Sequence, residues 1–362
     1  MSVKSVLVYS VEEISGDGLI KLPFIAGVRA AFPDAHFAWC AASGNSVYAA
    51  WLKPAVDGVI DELILDQPVG QGKFDALSLK APFGGRKFDL VIDTQRNLGR
   101  SLAVRRAARR FIASTADFKL SHAKPDGPWP DAMVDQLAML LRLAGGEGAT
   151  PRPLPLVSPA AQDAAERLLP SGPAYVGFAP GAGGPERRWP IERYIELAAR
   201  QHQRGRTPVF FLGPAERDYL EPIRRDAPFA LLPGETAGIE VSGPLLTIAL
   251  ATRLAAGVAA DAGPGHMLAA GGAPLVSLFR ETRKARKFRP AAPRVEALVA
   301  EELGDKDIKL IEVDMADQAL ERLLARAKSV QTESDFAHNI LNLEHFSTEN
   351  RSPLFGKCSS SR

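Results

Sequence analysis

Along the chain, short apolar runs rich in branched and aromatic residues alternate with longer stretches whose apolar positions recur every three or four residues. The short runs predict strands at Val6–Tyr9, His36–Cys40, Val59–Leu65, Phe88–Asp93 and Arg110–Ala113. After a break they resume at Ala174–Ala179, Pro208–Gly213, Phe229–Leu232, Gly257–Asp261 and Pro274–Phe279. The periodic stretches predict helices over Gly18–Ala31, Ala132–Leu143, Pro190–Gln203 and Pro244–Ala251. Short strands apolar on both faces and joined by helices indicate parallel α/β sheets. The break, GGEGATPRPLPLVSP over 145–159, is rich in Gly and Pro, has no period and reads as a linker. Two Rossmann-like halves are therefore expected, residues 1–150 and 151–330, facing each other across a cleft, with a tail over 331–362. In such sheets ligands bind beyond the carboxyl ends of the strands, which places the expected site in that cleft.

Composition narrows the function classes. The 362 residues are 46% hydrophobic and 24% charged with a net charge of +2, so no global basic field argues for nucleic acid. The two cysteines, Cys40 and Cys358, lie far apart without metal-type spacing and fit free thiols in a reducing compartment. The opening MSVKSVLVYS reads as a first strand rather than a cleavable signal, and no run reaches the roughly 18 apolar residues of a spanning helix. A cytoplasmic protein is expected, unless it sits on a membrane face. The tail is polar with scattered aromatics and reads as a short helix near Phe336–Leu343 or as disorder.

The chemistry concentrates in three glycine-bearing turns. In DAGPGHMLAAGGAPLVSLF (261–279), Asp261 closes a strand, Gly263 permits a tight turn and Pro264 suits the start of a helix. Free amides over 262–266, uncrowded at Gly263 and Gly265, form an anion site, with phosphate the expected anion and His266 able to donate to it. A plain strand–turn–helix connection is the alternative. In VGFAPGAGGPERRWP (176–190), the loop at Gly181 is longer than a dinucleotide fingerprint and carries Arg187 and Arg188 at the mouth of a helix, where a guanidinium can grip a phosphate. Glu216, just past the next strand in TPVFFLGPAERD, stands where an acid commonly takes ribose hydroxyls. In the first half, SVEEISGDGLIKLP (10–23) puts Asp17 at the start of a helix facing the cleft, as a base or as an ordinary cap. Its helix start is expected to lower its pKa. Glu12 and Glu13 read as solvated acids, either of which could orient a substrate.

These residues resemble the family 9 glycosyltransferases, the ADP-heptose lipopolysaccharide heptosyltransferases. SGDGLIKLP resembles their first-helix motif, which implies that Asp17 is the catalytic base. DLVIDTQRNLGRS (89–101) resembles their strand-and-loop motif, and RRWP puts Arg187 on the family lysine that contacts the leaving diphosphate. GPAE puts Glu216 on the ribose-binding acid, and DAGPGHMLAA resembles the family signature itself. The likeness runs in order over residues 3 to 330 and implies a GT-B fold, a nucleotide-heptose donor and inversion at the anomeric carbon. Four departures stand out: the acidic YSVEE after the first strand, Ala262 in place of Ser or Thr, Arg187 in place of Lys, and the basic RETRKARKFRP (280–290).

The resemblance implies an ADP-sugar donor, a lipid-linked or lipopolysaccharide acceptor, and no cofactor. Arg187 and the 262–266 amides are expected to neutralise the diphosphate without a metal; the sole acid pair of metal-site type, Asp305 and Asp307, reads as a charged turn. The runs 283–289 and 105–110 could meet anionic lipid at the inner membrane or sugar phosphates, or form solvated faces. Rival readings are a transferase or epimerase of another nucleotide sugar, a non-catalytic nucleotide-sugar-binding protein and, with the wrong loop, a dehydrogenase.

Overall fold

Alternate residues of the first-half strands face opposite ways, and both sets are apolar. Val6, Val8, Phe37, Trp39, Leu90 and Ile92 pack into one core cluster, while Leu7, Tyr9, Ala38, Cys40 and Val91 pack into another. A strand with that pattern needs cover on both faces, which helices provide. The computed structural model describes residues 2–72, 80–236, 239, 241 and 243–325. Its first sheet holds β1 (Ser5–Ser10), β2 (His36–Ala41), β3 (Glu62–Ile64), β4 (Phe88–Asp93) and β5 (Ala108–Ala113), all parallel in the order β3-β2-β1-β4-β5. Helices α1 (Ser15–Ala31), α2 (Lys53–Val56), α3 (Leu98–Arg105) and α4 (Met133–Gly145) accompany it. The chain then runs without helix or strand to α5 (Pro159–Leu168), which Ser158 caps by accepting the Ala161 N–H at 3.2 Å.

The second sheet is also parallel, in the order β10-β9-β8-β6-β7, from β6 (Tyr175–Ala179), β7 (Thr207–Phe210), β8 (Leu254–Ala260), β9 (Leu275–Phe279) and β10 (Val295–Val299). Between these strands run α6 (Ile191–Gln203), α7 (Leu220–Asp226), α8 (Gly243–Ala251), α9 (Gly263–Ala270) and α10 (Thr282–Lys287). Residues 313–325 are helical and bury Ala316, Leu320 and Leu323 in the second core.

One expected strand is corrected. Phe229–Leu232 forms a single bridge, Leu231 to Val209, on the outer side of β7. Pro228 and Pro233 bracket the run, and Leu231 stays 37% exposed, so neither length nor burial supports a ladder there. The edge strand β10 was not predicted, because of its five residues only Val299 is buried. The expected helix at Phe336–Leu343 and Cys358 lie outside the described residues. Strand order reverses between β1 and β4 in one sheet and between β6 and β8 in the other. Loops diverge at such points, leaving a crevice beyond the strand ends.

Candidate functional site

At the first crevice, α1 starts almost directly from β1. Ile14 holds the cap position, the Gly18 N–H returns to its carbonyl at 2.8 Å, and Asp17 falls in the first turn. Asp17 lines a cavity of about 340 Å³ together with Glu12, Lys21, Arg96, Arg100, Trp129 and Lys287. Its pKa is raised, not lowered as the helix start suggested. Burial dominates, opposed in turn by Lys21, reinforced by Glu13 and opposed again by Lys287 and Lys284. Desolvation of the carboxylate outweighs the field of the helix start. Glu13 is also corrected: it is 2% exposed rather than solvated, and its Oε1 takes a bond from Lys21 Nζ at 3.1 Å.

Asp93, at the end of β4, organises the turn that follows, whose Thr94, Gln95 and Arg96 line this cavity. Its Oδ1 accepts the Gln95 N–H at 2.8 Å and its Oδ2 accepts the Ser101 hydroxyl at 2.5 Å. Burial pushes the Asp93 carboxyl up to about 7, against those two bonds and the nearby Arg100. This network shapes the turn bearing Arg96, whose guanidinium lies 5.6 Å from the Trp129 ring centroid. Arg96, Arg100 and Trp129 were missed as site residues. The DLVIDTQRN motif passed through Arg96, but nothing local marked Trp129, thirty-three residues on, as its neighbour.

At the second crevice, Arg187, Asp261, Arg280, Glu281, Lys284 and Glu186 line a cavity of about 300 Å³. Trp189 anchors the arginine turn, its Nε1–H donating to the Ile311 carbonyl at 2.7 Å. Arg187 lies 3.8 Å from Glu186 and is half-exposed. Arg188 is not among the residues lining that cavity, and its Nε is buried and unbonded among the described residues. Burial raises the Asp261 pKa, and the Arg187 charge holds it back. Glu216 is buried, its Oε2 accepting the Gly213 N–H at 2.9 Å. A Cβ on Gly181 would lie 3.0 Å from the Glu216 carboxyl carbon, so the glycine loop rests directly on this acid.

The two crevices meet at the starts of α1 and α9. Ala262 is the cap of α9 and offers no side-chain bond, as its missing hydroxyl implies, and Pro264 occupies the first turn. A Cβ on Gly263 would stand 3.2 Å from Ser15 Cβ, and one on Gly265 would stand 3.2 Å from the Ala260 carbonyl. His266 is 7% exposed and packs against Gly16 rather than into open space; burial alone lowers its pKa to about 4, so its ring is neutral. Helix α10 spans both crevices: Lys284 lines the second and Lys287 the first. The basic run 283–289 therefore faces the cleft with at least these two residues. Asp305 and Asp307 serve a turn, accepting the N–H of Asp307 at 3.2 Å and of Lys309 at 3.0 Å.

The model of glycosyltransferase family 9 (heptosyltransferase) matches residues 76–312. Among solved structures, the family 9 glycosyl transferase of Veillonella parvula DSM 2008 is similar over 90% of this chain and 98% of its own, at 20% identity and a TM-score of 0.66. Escherichia coli heptosyltransferase WaaC with ADP is similar over 88% and 99%, at 17% identity and a TM-score of 0.60. Escherichia coli ADP-heptose lps heptosyltransferase II is similar over 90% and 99%, at 19% identity and a TM-score of 0.58. No curated protein matches in sequence. At these identities the likeness is one of fold, and the two facing sheets are the GT-B arrangement.

Proposed function

The chain belongs to glycosyltransferase family 9, and from that premise we propose that it is an inverting transferase. It moves a heptose or related sugar from an ADP-sugar to a lipopolysaccharide core or similar glycan. The observation that carries this reading is the meeting of the two crevices: Asp17 in one, Arg187 and Asp261 in the other, with the starts of α1 and α9 in contact between them.

Asp17 accepts the proton of the acceptor hydroxyl as its oxygen bonds to the anomeric carbon. The carbon–oxygen bond to the diphosphate breaks on the opposite face, its electron pair leaves with ADP, and the anomeric configuration inverts. Two helix starts give the departing phosphates a positive field, and Arg187 with the 262–266 amides supplies donors. Arg187 and these amide donors do the work that a metal does elsewhere, so neither metal nor cofactor is required. Gly181 and Arg188 belong to the donor loop, and Glu216 beneath it takes the ribose hydroxyls. His266, neutral and buried, supports α9 and remains able to donate one N–H.

The ADP named with the E. coli relative supports ADP as the leaving group. Lys284 and Lys287 favour an acceptor bearing phosphate or carboxylate groups. A lipid-anchored acceptor places the work at the cytoplasmic face of the inner membrane; among the described residues no helix is long and apolar enough to cross one. The test is ADP release from ADP-heptose with heptose-deficient lipopolysaccharide, followed by NMR of the new linkage. Release with an inverted anomer is expected. Retention of configuration, or binding of ADP-heptose without any release, would sink the proposal.

A further inference from the structure

Lys21 is a charged side chain in the apolar stretch LIKLPF, only 5% exposed, between the buried Ile20 and Leu22. Its ammonium donates to Ser10 Oγ at 3.0 Å and to Glu13 Oε1 at 3.1 Å. Glu13 Oε2 is buried with no hydrogen-bond partner among the described residues. Packing does not demand such a pair, since apolar residues of similar size commonly serve as well or better. What distinguishes Lys21 is its place. It lies four residues after Asp17, on the same helical face one turn along, and lines the same cavity.

We propose that Lys21 is a positioning residue for the transfer, an ammonium fixed by Ser10 and Glu13 that acts through Asp17 rather than on either sugar. The inference rests on Asp17 being the base. A base in a half-dry cleft loses ionisation to burial, and a fixed cation one turn away restores it. Glu13 sets the strength of that cation by neutralising part of it. Other charges face Asp17 from the neighbouring elements. Lys284 and Lys287 reach it from α10, Arg96 and Arg100 share its cavity from the β4–α3 turn, and Glu12 is exposed. Asp261 opposes its charge from the strand end before α9, while His266 on α9 is neutral and Tyr48 keeps its proton.

Two variants move Asp17 in opposite directions. Glu13→Gln keeps an acceptor for Lys21 but removes the neutralising charge, so Asp17 is expected to titrate about one pH unit lower. Glu13→Gln combined with Lys21→Met removes both charges and leaves none buried alone, so Asp17 is expected to titrate about one unit higher than wild type. The readout is carboxyl NMR of the full chain labelled with [4-¹³C]aspartate, without ligand, the Asp17 signal being the one lost in Asp17→Asn. The acid limb of kcat/KM for ADP release from ADP-heptose should move with it, and thermal melting checks the fold. Should the double variant fail to fold, the downward shift in Glu13→Gln decides alone. An unmoved Asp17 titration, or a shift of the same sign in both variants, overturns the inference. Wild-type turnover in Asp17→Asn removes the base itself, and the role of Lys21 in transfer with it, whatever the titrations show.

Discussion

The imidazole of His266 lies against the bare backbone of Gly16, and a Cβ placed there would stand 2.9 Å from His266 Cδ2. Through this pair the two halves touch where the proposed base and the proposed leaving group must meet. Gly16 has ordinary helical surroundings in α1, so its value is close approach rather than backbone freedom.

Gly16→Ala separates packing from propensity. In a helix Ala is favoured over Gly by up to about 1 kcal/mol, less in the first turn where Gly16 stands, so without a clash the variant gains a little stability. The ring of a buried helical His cannot step aside freely, and overpacking of this kind costs about 1–3 kcal/mol. A lower melting temperature with a disproportionate drop in turnover is expected. Unchanged melting and turnover would mean that the halves move apart without penalty.

His266 also imposes a pH dependence on folding. Its folded pKa of about 4 lies below the unfolded value of 6.5. The unfolded chain therefore takes up the proton first, and stability present above pH 6.5 is lost as pH falls toward 4. A shift of that size corresponds to about 3 kcal/mol at most. Carboxylates with lowered pKa, Asp61 held by the Phe37 N–H and then Arg29 and Asp317 by Arg204, act in the same direction but at lower pH. Between pH 7 and 5 the raised carboxyl of Asp93, at about 7, acts in the opposite direction, so the histidine is read from the difference in urea-unfolding slope between wild type and His266→Gln, the variant lacking the part that falls with pH. An equal slope in the variant removes His266 as the cause.

Glu216→Gln tests the ribose assignment. Gln keeps the shape and an oxygen for the Gly213 N–H, so the turn survives. Hydrogen bonds to a charged acceptor are worth about 1.5–3 kcal/mol and neutral ones about 0.5–1.5, so ADP affinity should fall by roughly tenfold. Affinity for ADP lacking a ribose hydroxyl should fall much less. Equal losses for both ligands would detach Glu216 from the ribose.

Arg187→Ala tests the diphosphate. The guanidinium is half-exposed and only loosely held by Glu186, so removing it disturbs little of the fold. ADP-sugar binding should weaken by about 1.5–3 kcal/mol, the range for a charged hydrogen bond, and its salt dependence should become shallower. Calorimetry at two salt concentrations measures both. Affinity and salt slope that match wild type would assign the phosphate to Lys284 or Arg280 instead.

Much of this was legible in the sequence where the chemistry and the chain order coincide. The strands β1 and β4 announced themselves because both faces are apolar, and Asp17, Glu216 and Asp261 because each follows a strand end. What stayed hidden depends on distance through space. Lys21 sits among core residues with its partners eight and eleven positions earlier, and only folding brings Ser10 and Glu13 to it. Lys284 and Lys287 stood out as a basic run, but their direction is set by the β9–α10 turn, which periodicity does not fix. The edge strand β10 failed for the opposite reason: half-exposed, it lacks the apolar signature on which the other strands were found.

The proposed reaction turns on Asp17. Its raised pKa makes it a stronger base than a helix-start carboxylate would be, at the cost of a smaller ionised fraction as pH falls. Turnover should therefore show an acid limb at higher pH than an unperturbed aspartate would give, falling as Asp17 takes up a proton. Asp17→Asn keeps the volume and removes the base, and a general base typically contributes about 10²–10⁴-fold to rate. ADP binding and thermal stability should stay near wild type, because the proposed nucleotide site lies in the other half and Ile14, not Asp17, occupies the cap. Stability should rise slightly if anything, since the variant no longer buries a carboxylate. A residue that merely capped the helix would be replaced well by Asn, leaving activity in place. Transfer of ADP-heptose at the wild-type rate by Asp17→Asn, with the acid limb intact, would end the base mechanism while leaving the fold and the nucleotide site untouched.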